Sequence, residues 1–150
     1  MTYLLAAFAA ASILFTGWRW RTVVRFFRKE AAAPPAQDPP RLVSILQPIL
    51  SGDPTLPGML EGNLLAQSSY AREFLWLVDE DDAEGRRICA ELAAAHPGVT
   101  VRILTAPASP QGVNPKLFKL VAGLEAARGD VICVLDDDTL LPDGGLETCL

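Results

Sequence analysis

The pattern of apolar and polar positions across residues 41–150 predicts a domain that alternates strands and helices. Three near-continuous apolar runs are typical of buried strands, and a fourth run alternates apolar and polar residues. Between these runs, apolar residues recur every three or four positions, as on one face of a helix. The predicted strands are residues 41–50, 73–78, 99–104 and 130–135, and the predicted helices are residues 55–67, 83–95 and 115–128. This order favours right-handed crossovers and a parallel α/β sheet with helices on its faces.

The predicted helix at residues 115–128 has boundary signals at both ends. Asn114 is a preferred N-cap residue, and Pro115 suits the first helical position because its fixed φ and missing N–H are tolerated there. Gly129 follows the last predicted turn, where glycine commonly ends a helix. The apolar positions that predict this helix are Leu117, Leu120, Val121 and Leu124.

Residues 1–30 have a different pattern, which predicts a membrane anchor. Residues 3–18 carry no charged side chain and fall slightly short of the roughly 20 apolar residues that span a bilayer. Trp18 and Trp20 stand where an interfacial aromatic belt would fall, beside a group of basic residues. A secretory signal peptide would need positive charge before the apolar run, and an interfacial helix is the other alternative. The positive-inside rule predicts that the N-terminus lies outside and that residues 19–150 lie in the cytoplasm.

Residues 31–40 are predicted to form an extended linker. Four of these ten residues are prolines, which forbid regular structure and favour polyproline geometry. The chain is therefore predicted to consist of an anchor with a basic flank at residues 1–30, the linker at residues 31–40 and an α/β domain at residues 41–150.

The charge balance argues against a nucleic-acid-binding protein. Residues 1–30 contain five basic residues and one acidic residue, which gives a net charge of +4. The whole chain has a net charge of −5, so residues 31–150 carry −9. A nucleic-acid-binding surface needs the opposite sign. The first predicted strand is followed by neither a Gly-x-Gly-x-x-Gly pattern nor a Gly-Lys-Ser/Thr loop, which disfavours a dehydrogenase-type dinucleotide fold and a P-loop NTPase.

Two of the predicted strands end in acidic residues. Residues 79–82 follow one strand, where Asp81 and Asp82 are placed to cap the next helix, and residues 136–138 follow another. Ligands of open α/β sheets bind outside the carboxyl ends of strands, so both clusters are predicted at that edge. Residues i and i+2 of an extended chain point the same way, which would let Asp136 and Asp138 share one Mg²⁺ or Mn²⁺ while Asp137 faces elsewhere. The pattern predicts a phosphate-and-metal site, and a solvated acidic turn is the alternative.

These acidic strand ends and the Asn-Pro-Lys helix start between them resemble an inverting GT-A glycosyltransferase of the family-2 type. More narrowly, the chain resembles the ceramide glucosyltransferase branch, which includes bacterial hopanoid-associated glycosyltransferases. The resemblance covers residues 41–150, and the predicted N-terminal membrane anchor is a further shared feature. It rests on the segments VSILQPILSGDPTLPGMLEGNLLAQ (residues 43–67), LVDEDDAEG (residues 77–85) and GVNPKLFKLVAGLEAARGDVICVLDDD (residues 112–138).

The resemblance implies the N-terminal, nucleotide-sugar-binding half of a GT-A Rossmann-like parallel sheet, preceded by one transmembrane helix. It implies transfer of a hexose or N-acetylhexosamine from a UDP-sugar to a lipid acceptor at the bacterial inner membrane, with Mn²⁺ or Mg²⁺. Asp79 matches the family's first acidic position, which contacts the uracil or ribose. Asp136 and Asp138 match the Asp-x-Asp that holds the metal against the diphosphate, and Lys116 matches a lysine near the donor. The implied nucleotide-sugar-binding residues are thus Asp79, Lys116 and Asp136, and the implied metal ligands are Asp136 and Asp138.

The second half of the family's domain lies outside the resemblance. That half supplies the catalytic base and a Gln/Arg-x-x-Arg-Trp motif, and none of Trp18, Trp20 and Trp76 follows such a motif. We therefore expect a truncated glycosyltransferase without a catalytic base, and we predict no catalytic residue. The alternatives are a non-catalytic nucleotide-sugar-binding remnant, half of a split protein, and a regulatory α/β domain that binds phosphate or metal.

Overall fold

The structure, a computed structural model, describes residues 2–30 and 39–150. The chain divides into two compact units, Met1–Gln37 and Asp38–Leu150. Most of the predicted proline-rich linker, residues 31–38, lies outside the described residues.

The described part of the first unit is one helix, α1 (Thr2–Glu30). Its aromatic residues Phe15, Trp18 and Trp20 are exposed, and the Arg19 guanidinium lies 5.9 Å from the centre of the Phe15 ring. Within residues 2–30 and 39–150, no helix has both the length and the apolar character needed to cross a membrane. The predicted transmembrane helix is therefore not confirmed.

The second unit contains the predicted parallel sheet. Its strands are β1 (Val43–Pro48), β2 (Arg72–Asp79), β3 (Thr100–Ala106) and β4 (Val131–Val134). Its helices are α2 (Leu56–Leu65), α3 (Ala83–Ala95), α4 (Pro115–Ala126) and α5 (Gly145–Cys149). All strand pairs are parallel, and the strand order is β3-β2-β1-β4. The predicted α/β class and its order of elements are confirmed.

The sheet separates two apolar clusters. The larger cluster lies on the face covered by α2, α3 and α5 and includes the buried side chains of Phe74 and Trp76. The smaller cluster, Leu46, Leu75 and Leu77, lies on the face covered by α4. β1 and the interior of β2 are buried on both faces, which explains why their sequences are near-continuously apolar.

The strand β4 is less buried than its sequence predicts. It pairs with β1 and forms one edge of the described sheet. Val131 and Cys133 pack against the larger cluster, but Ile132 and Val134 are 36% and 51% exposed. These two residues share the α4 side of the sheet with their β1 partners, and α4 packs mainly against β1, β2 and β3. Within residues 39–150, the strand that was predicted to be buried is thus half-buried on one face and exposed on the other.

The helix α4 packs through a face that its apolar pattern does not indicate. Leu117, Val121 and Leu124 are exposed. The buried residues of α4 are Lys119 and Gly123, which lie one turn apart on the face toward the sheet. The apolar periodicity therefore predicted the helix correctly, although most of the residues that carried it do not face the core.

Gly123 allows α4 to approach the sheet closely. A Cβ at this position would lie 2.8 Å from Cδ1 of Leu77 and 3.1 Å from Cδ2 of Leu46. Real Cβ atoms essentially never show a contact under 3.0 Å, and one at 3.1 Å is tighter than nine in ten, so the absence of a side chain at Gly123 permits this distance between helix and sheet. The close approach brings Lys119, one turn earlier, against the ends of the central strands.

Gly129 provides a second close approach rather than a left-handed helix cap. The helix α4 ends at Ala126, two residues before the predicted end, and Gly129 is not among the described glycines with positive φ. A Cβ on Gly129 would lie 2.6 Å from the backbone nitrogen of Ser44 and 2.8 Å from the carbonyl oxygen of Leu42. The Gly129 N–H donates to Ser44 Oγ at 2.8 Å. Glycine is required here by the packing of two backbones.

A buried carboxylate ties the same end of the sheet together. Glu73 is 2% exposed and accepts hydrogen bonds from Ser44 Oγ at 2.7 Å and from the Arg128 N–H at 2.8 Å. Arg102 Nη1 lies 3.4 Å from Glu73 Oε2 and donates to the Ala126 carbonyl at 2.7 Å. Burial alone would raise the pKa of Glu73, but these hydrogen bonds outweigh it and lower the pKa below its ordinary value.

Candidate functional site

The carboxyl ends of β1, β2 and β4 surround one open cavity with the N-terminus of α4. β1 lies between β2 and β4, so residues that follow these strands become neighbours although they are distant in sequence. The cavity has a volume of about 480 Å³. Its lining consists of Pro48, Ile49, Leu50, Asp79, Asn114, Pro115, Lys116, Lys119, Asp136, Asp137 and Asp138. The structure thus brings together every residue that the sequence singled out for donor or metal binding.

The acidic residues after β4 form a turn rather than a continuation of the strand. The Thr139 N–H donates to the Asp136 carbonyl at 3.2 Å, which closes a turn over residues 136–139. The argument that Asp136 and Asp138 point the same way on an extended chain is therefore wrong. The Asp137 carboxylate accepts a hydrogen bond from the Leu50 N–H at 2.9 Å and ties the turn to the end of β1. All three acidic residues still border the cavity.

The start of α4 places Lys116 against the acidic turn. Asn114 caps the helix as predicted, because its side-chain oxygen accepts a backbone N–H from the first turn at 3.2 Å. The Lys116 ammonium forms an ion pair with the Asp136 carboxylate, and the two side chains are 48% and 50% exposed. The hydrogen bond to Asp136 raises the pKa of Lys116 above its ordinary value.

Asp79, the last residue of β2, is held by a lysine that sequence reasoning did not identify. Lys119 Nζ donates to Asp79 Oδ2 and to the Ile49 carbonyl, both at 2.9 Å. The side chains of Lys119 and Asp79 are 5% and 23% exposed. Lysine is almost never buried unless it is paired, and here its partner is Asp79, for which the family resemblance implies contact with the nucleotide.

The signal for Lys119 in the sequence is weak. The residue lies three positions after Lys116, on a helix whose leucines and valine indicated another buried face. Gly123, one turn later on the same side, is the small residue that marks the face toward the sheet. In a single sequence, a lysine that is buried against the sheet has the same pattern as a lysine that is exposed to solvent.

Asp82 stabilises the backbone beside the cavity. It is the N-cap of α3 and accepts the Gly85 N–H at 2.8 Å, and it also accepts the N–H and hydroxyl of Ser51 at 2.9 and 2.6 Å. Burial alone would raise the pKa of Asp82, but the hydrogen bonds from Ser51 and Gly85 lower it. The prediction that Asp82 caps this helix is confirmed.

The chain after the acidic turn is fixed to α2 and to the loop that precedes β2. The Asn63 side chain donates to the Thr139 carbonyl at 2.9 Å and accepts the Leu141 N–H at 2.6 Å. Glu147 accepts the Ser69 N–H and nearby serine hydroxyls, and these hydrogen bonds lower the pKa of Glu147 to about 2. The acidic turn is therefore tied to the end of β1 through Asp137, and the chain that follows it is tied to α2 through Asn63.

The carboxylates at the cavity fit a divalent cation that is held jointly by the protein and by the phosphates of a bound substrate. In the part of the chain that the structure describes, no group of three or more Asp, Glu, His or Cys side chains is placed to hold a metal alone. Asp136 and Asp138 supply two carboxylates at one rim of the cavity. Mg²⁺ is usually held by one or two carboxylates together with substrate phosphates, and Mn²⁺ prefers similar oxygen ligands.

Two known proteins are similar to this chain over about 70% of its length. Ceramide glucosyltransferase 1 of Caenorhabditis elegans is 28% identical over 106 residues, which are 70% of this chain and 22% of that protein. The mannosyltransferase PcManGT from Pyrobaculum calidifontis, solved in complex with GDP-Man and Mn²⁺, matches with a TM-score of 0.59 and 21% identity. That match covers 73% of this chain and 31% of the mannosyltransferase, and at this identity it shows the fold alone.

The four-stranded parallel sheet therefore resembles the nucleotide-binding half of a GT-A fold, as predicted. The chain spans about a fifth of the length of the curated relative and about a third of the solved one. The family model of glycosyl transferase family 21 matches residues 1–150. The predicted resemblance to ceramide glucosyltransferases is thereby confirmed, and the chain belongs to glycosyl transferase family 21.

Proposed function

We propose that this chain is the donor-binding part of a glycosyltransferase that moves a hexose or N-acetylhexosamine from a UDP-sugar to a lipid hydroxyl. The observation that carries the proposal is the single cavity bordered by Asp79, Lys116 and the acidic turn at residues 136–138. Membership of the family supports glycosyl transfer, and the name of the Caenorhabditis elegans relative supports a glucosyl donor and a lipid acceptor.

The residues divide the cavity between the two halves of the donor. Asp79 contacts the uracil or ribose, because it stands at the end of β2 and Lys119 engages only its Oδ2 atom. Asp136 and Asp138, which follow β4 on the other side of β1, would hold Mn²⁺ or Mg²⁺ near the diphosphate. Lys116 adds a positive charge on that side, beside Asp136.

This arrangement suits the chemistry of a departing nucleoside diphosphate. Negative charge grows on the diphosphate as its bond to the sugar breaks. The metal, when bound, supplies electrostatic stabilisation of that charge. Lys116 contributes a further positive charge beside the acidic turn. We assign the general base to no residue of this chain.

The proposal includes association of α1 with a membrane. The exposed Trp18 and Trp20 adjoin the exposed Arg19, Arg21 and Arg25, a combination that favours an interface with anionic lipid. We expect the full chain to sediment with phosphatidylglycerol vesicles. Binding that survives carbonate at high pH would support the predicted insertion with the N-terminus outside, and binding lost in high salt would support surface attachment. A chain that stays in the supernatant would refute membrane association.

Titration calorimetry of the full chain with UDP, with and without Mn²⁺, tests the donor site. We expect Mn²⁺ to tighten UDP binding by at least about tenfold, roughly 1.4 kcal/mol, because each charge-assisted contact to a phosphate is worth about that much. The Asp136→Ala/Asp138→Ala double variant is expected to lose the gain from Mn²⁺.

The matched control is the Glu84→Ala/Glu91→Ala double variant. It removes the same number of carboxylates from the exposed face of α3, where both residues pair with Arg87 outside the cavity. This control is expected to bind UDP as the unaltered chain does. A folded chain that binds neither UDP nor GDP would refute the donor site, and a preference for GDP would refute the assignment of the base.

A further inference from the structure

We propose that Lys119 is a positioning residue for the nucleoside side of the donor site. This inference rests on the function proposed above. Lys119 fixes the Asp79 carboxylate at the end of β2, so that the second oxygen of Asp79 is available to the nucleoside. The two lysines of α4 then have separate tasks, since Lys116 serves the diphosphate side.

The geometry of the ammonium supports this role. Lys119 Nζ lies 2.9 Å from Asp79 Oδ2 and 2.9 Å from the Ile49 carbonyl, so it joins the ends of two adjacent strands. All three residues line the cavity. An ammonium has three N–H donors, and two are used in these contacts. Pairing with β3 sets the backbone position of Asp79, and the orientation of its carboxylate depends on one buried side chain, Lys119.

The energetics of burial indicate that the Lys119–Asp79 pair as a whole adds little to the stability of the fold. Removing a charged pair from water costs several kcal/mol per ion, and the attraction between the partners only offsets that cost. Replacing both partners by apolar residues of similar volume is often neutral or stabilising, whereas removing one partner alone leaves the other charge unpaired and destabilises the fold. A buried lysine paired with a carboxylate in a cleft is typical of functional sites, where side chains are held in place at some expense of stability.

The contrast between the two lysines makes the role testable. Lys116 is half exposed and pairs with Asp136, whereas Lys119 is buried and pairs with Asp79. The pairs lie on different sides of the same cavity. A loss on the nucleoside side should weaken UMP and UDP by the same factor, because the two ligands share the uridine. A loss on the diphosphate side should weaken UDP more than UMP.

The experiment measures Kd values of UMP and UDP by calorimetry, in the presence of Mn²⁺, on the full chain. The variants are Lys119→Met, which is unbranched, one heavy atom shorter and uncharged, and Lys116→Met as its match on the same helix. We expect Lys119→Met to weaken both ligands by about tenfold, the effect of losing one oriented hydrogen bond to a charged group. We expect Lys116→Met to raise the Kd of UDP by a larger factor than the Kd of UMP.

The outcomes separate this inference from the proposed function. Absence of UDP binding by the unaltered chain refutes the proposed function itself. UDP binding that Lys119→Met leaves unchanged, or weakens more than UMP binding, overturns the inference alone. If Lys119→Met lowers the melting temperature or the binding stoichiometry while both Kd values stay unchanged, Lys119 serves folding alone. That result would also overturn the inference. If Lys119→Met does not fold, Lys119→Gln, which keeps one donor, is measured against the same expectations.

Discussion

Replacing Gly129 by alanine is expected to destabilise the α/β unit by about 3 kcal/mol. The added Cβ would lie 2.6 Å from Ser44 N, 2.7 Å from Ser44 Oγ and 2.8 Å from the Leu42 carbonyl oxygen, whereas ordinary Cβ contacts begin at 3.4 Å. Two of these atoms are backbone and cannot rotate away. Overpacking of this kind costs about 1–3 kcal/mol. The displacement would also weaken the hydrogen bond from Gly129 to Ser44 Oγ, worth about 1 kcal/mol.

Gly58→Ala is the matched control, because it makes the same chemical change in open space. Gly58 lies in α2, and a Cβ there would have no neighbour within 4 Å. Alanine is the better helix former, so this variant is expected to gain about 0.5–1 kcal/mol. Both positions are described without positive φ, so the comparison isolates the effect of packing from that of backbone strain.

Urea unfolding of the full chain, followed by circular dichroism, measures both effects. With a slope of about 1–3 kcal/mol per molar urea, the loss for Gly129→Ala lowers the midpoint by roughly 1–3 M. The midpoint of Gly58→Ala should rise slightly. The signal of α1 is common to all three proteins and does not affect the comparison. A urea midpoint for Gly129→Ala at or above that of the unaltered chain would refute the reasoning. It would show that β1 shifts to accommodate the added Cβ without a loss of stability.

Two further predictions concern carboxylates that the fold holds in place. Hydrogen bonds keep the pKa of Glu73 below its ordinary value of 4.5, so its contribution to stability is present above that pH and is lost as the pH falls through the lowered pKa. The urea midpoint of Glu73→Gln should therefore depend less on pH below 4.5, and an unchanged acid dependence would contradict this. Asp82→Ala should cost about 1–2 kcal/mol in urea unfolding, because Ser51 and Gly85 lose their acceptor. Asp82→Asn keeps an acceptor oxygen and should cost less, and equal midpoints for the two variants would argue against the cap.

Elements whose signals are local were predicted well from the sequence. The helix predicted at residues 83–95 is found at Ala83–Ala95, because Asp82 supplies the cap and a Pro-Gly pair follows the last turn. The strands β1 and β2 are recognisable because a strand buried on both faces needs apolar residues at nearly every position. The acidic residues at strand ends point to a site because parallel strands bring their carboxyl ends to one edge.

Features that depend on contacts across the sheet were not predictable in this way. The leucines of α4 indicated a helix, but the face that packs is set by Gly123 and Lys119. The run at residues 130–135 indicated a strand, but its exposure depends on whether α4 lies above it. The turn at residues 136–139 replaced the extended geometry that was expected for the acidic residues.

The sequence by itself determined the succession of strands and helices, the parallel sheet and the acidic edge, because these follow from periodicity and from short-range capping. Only the tertiary structure decided which lysine holds Asp79, and it also decided why Gly129 must lack a side chain. Both depend on atoms more than 35 residues apart in the chain, from Lys119 to Asp79 and from Gly129 to Ser44. Burial and pairing are properties of such neighbours, and a residue's own position in a pattern does not contain them.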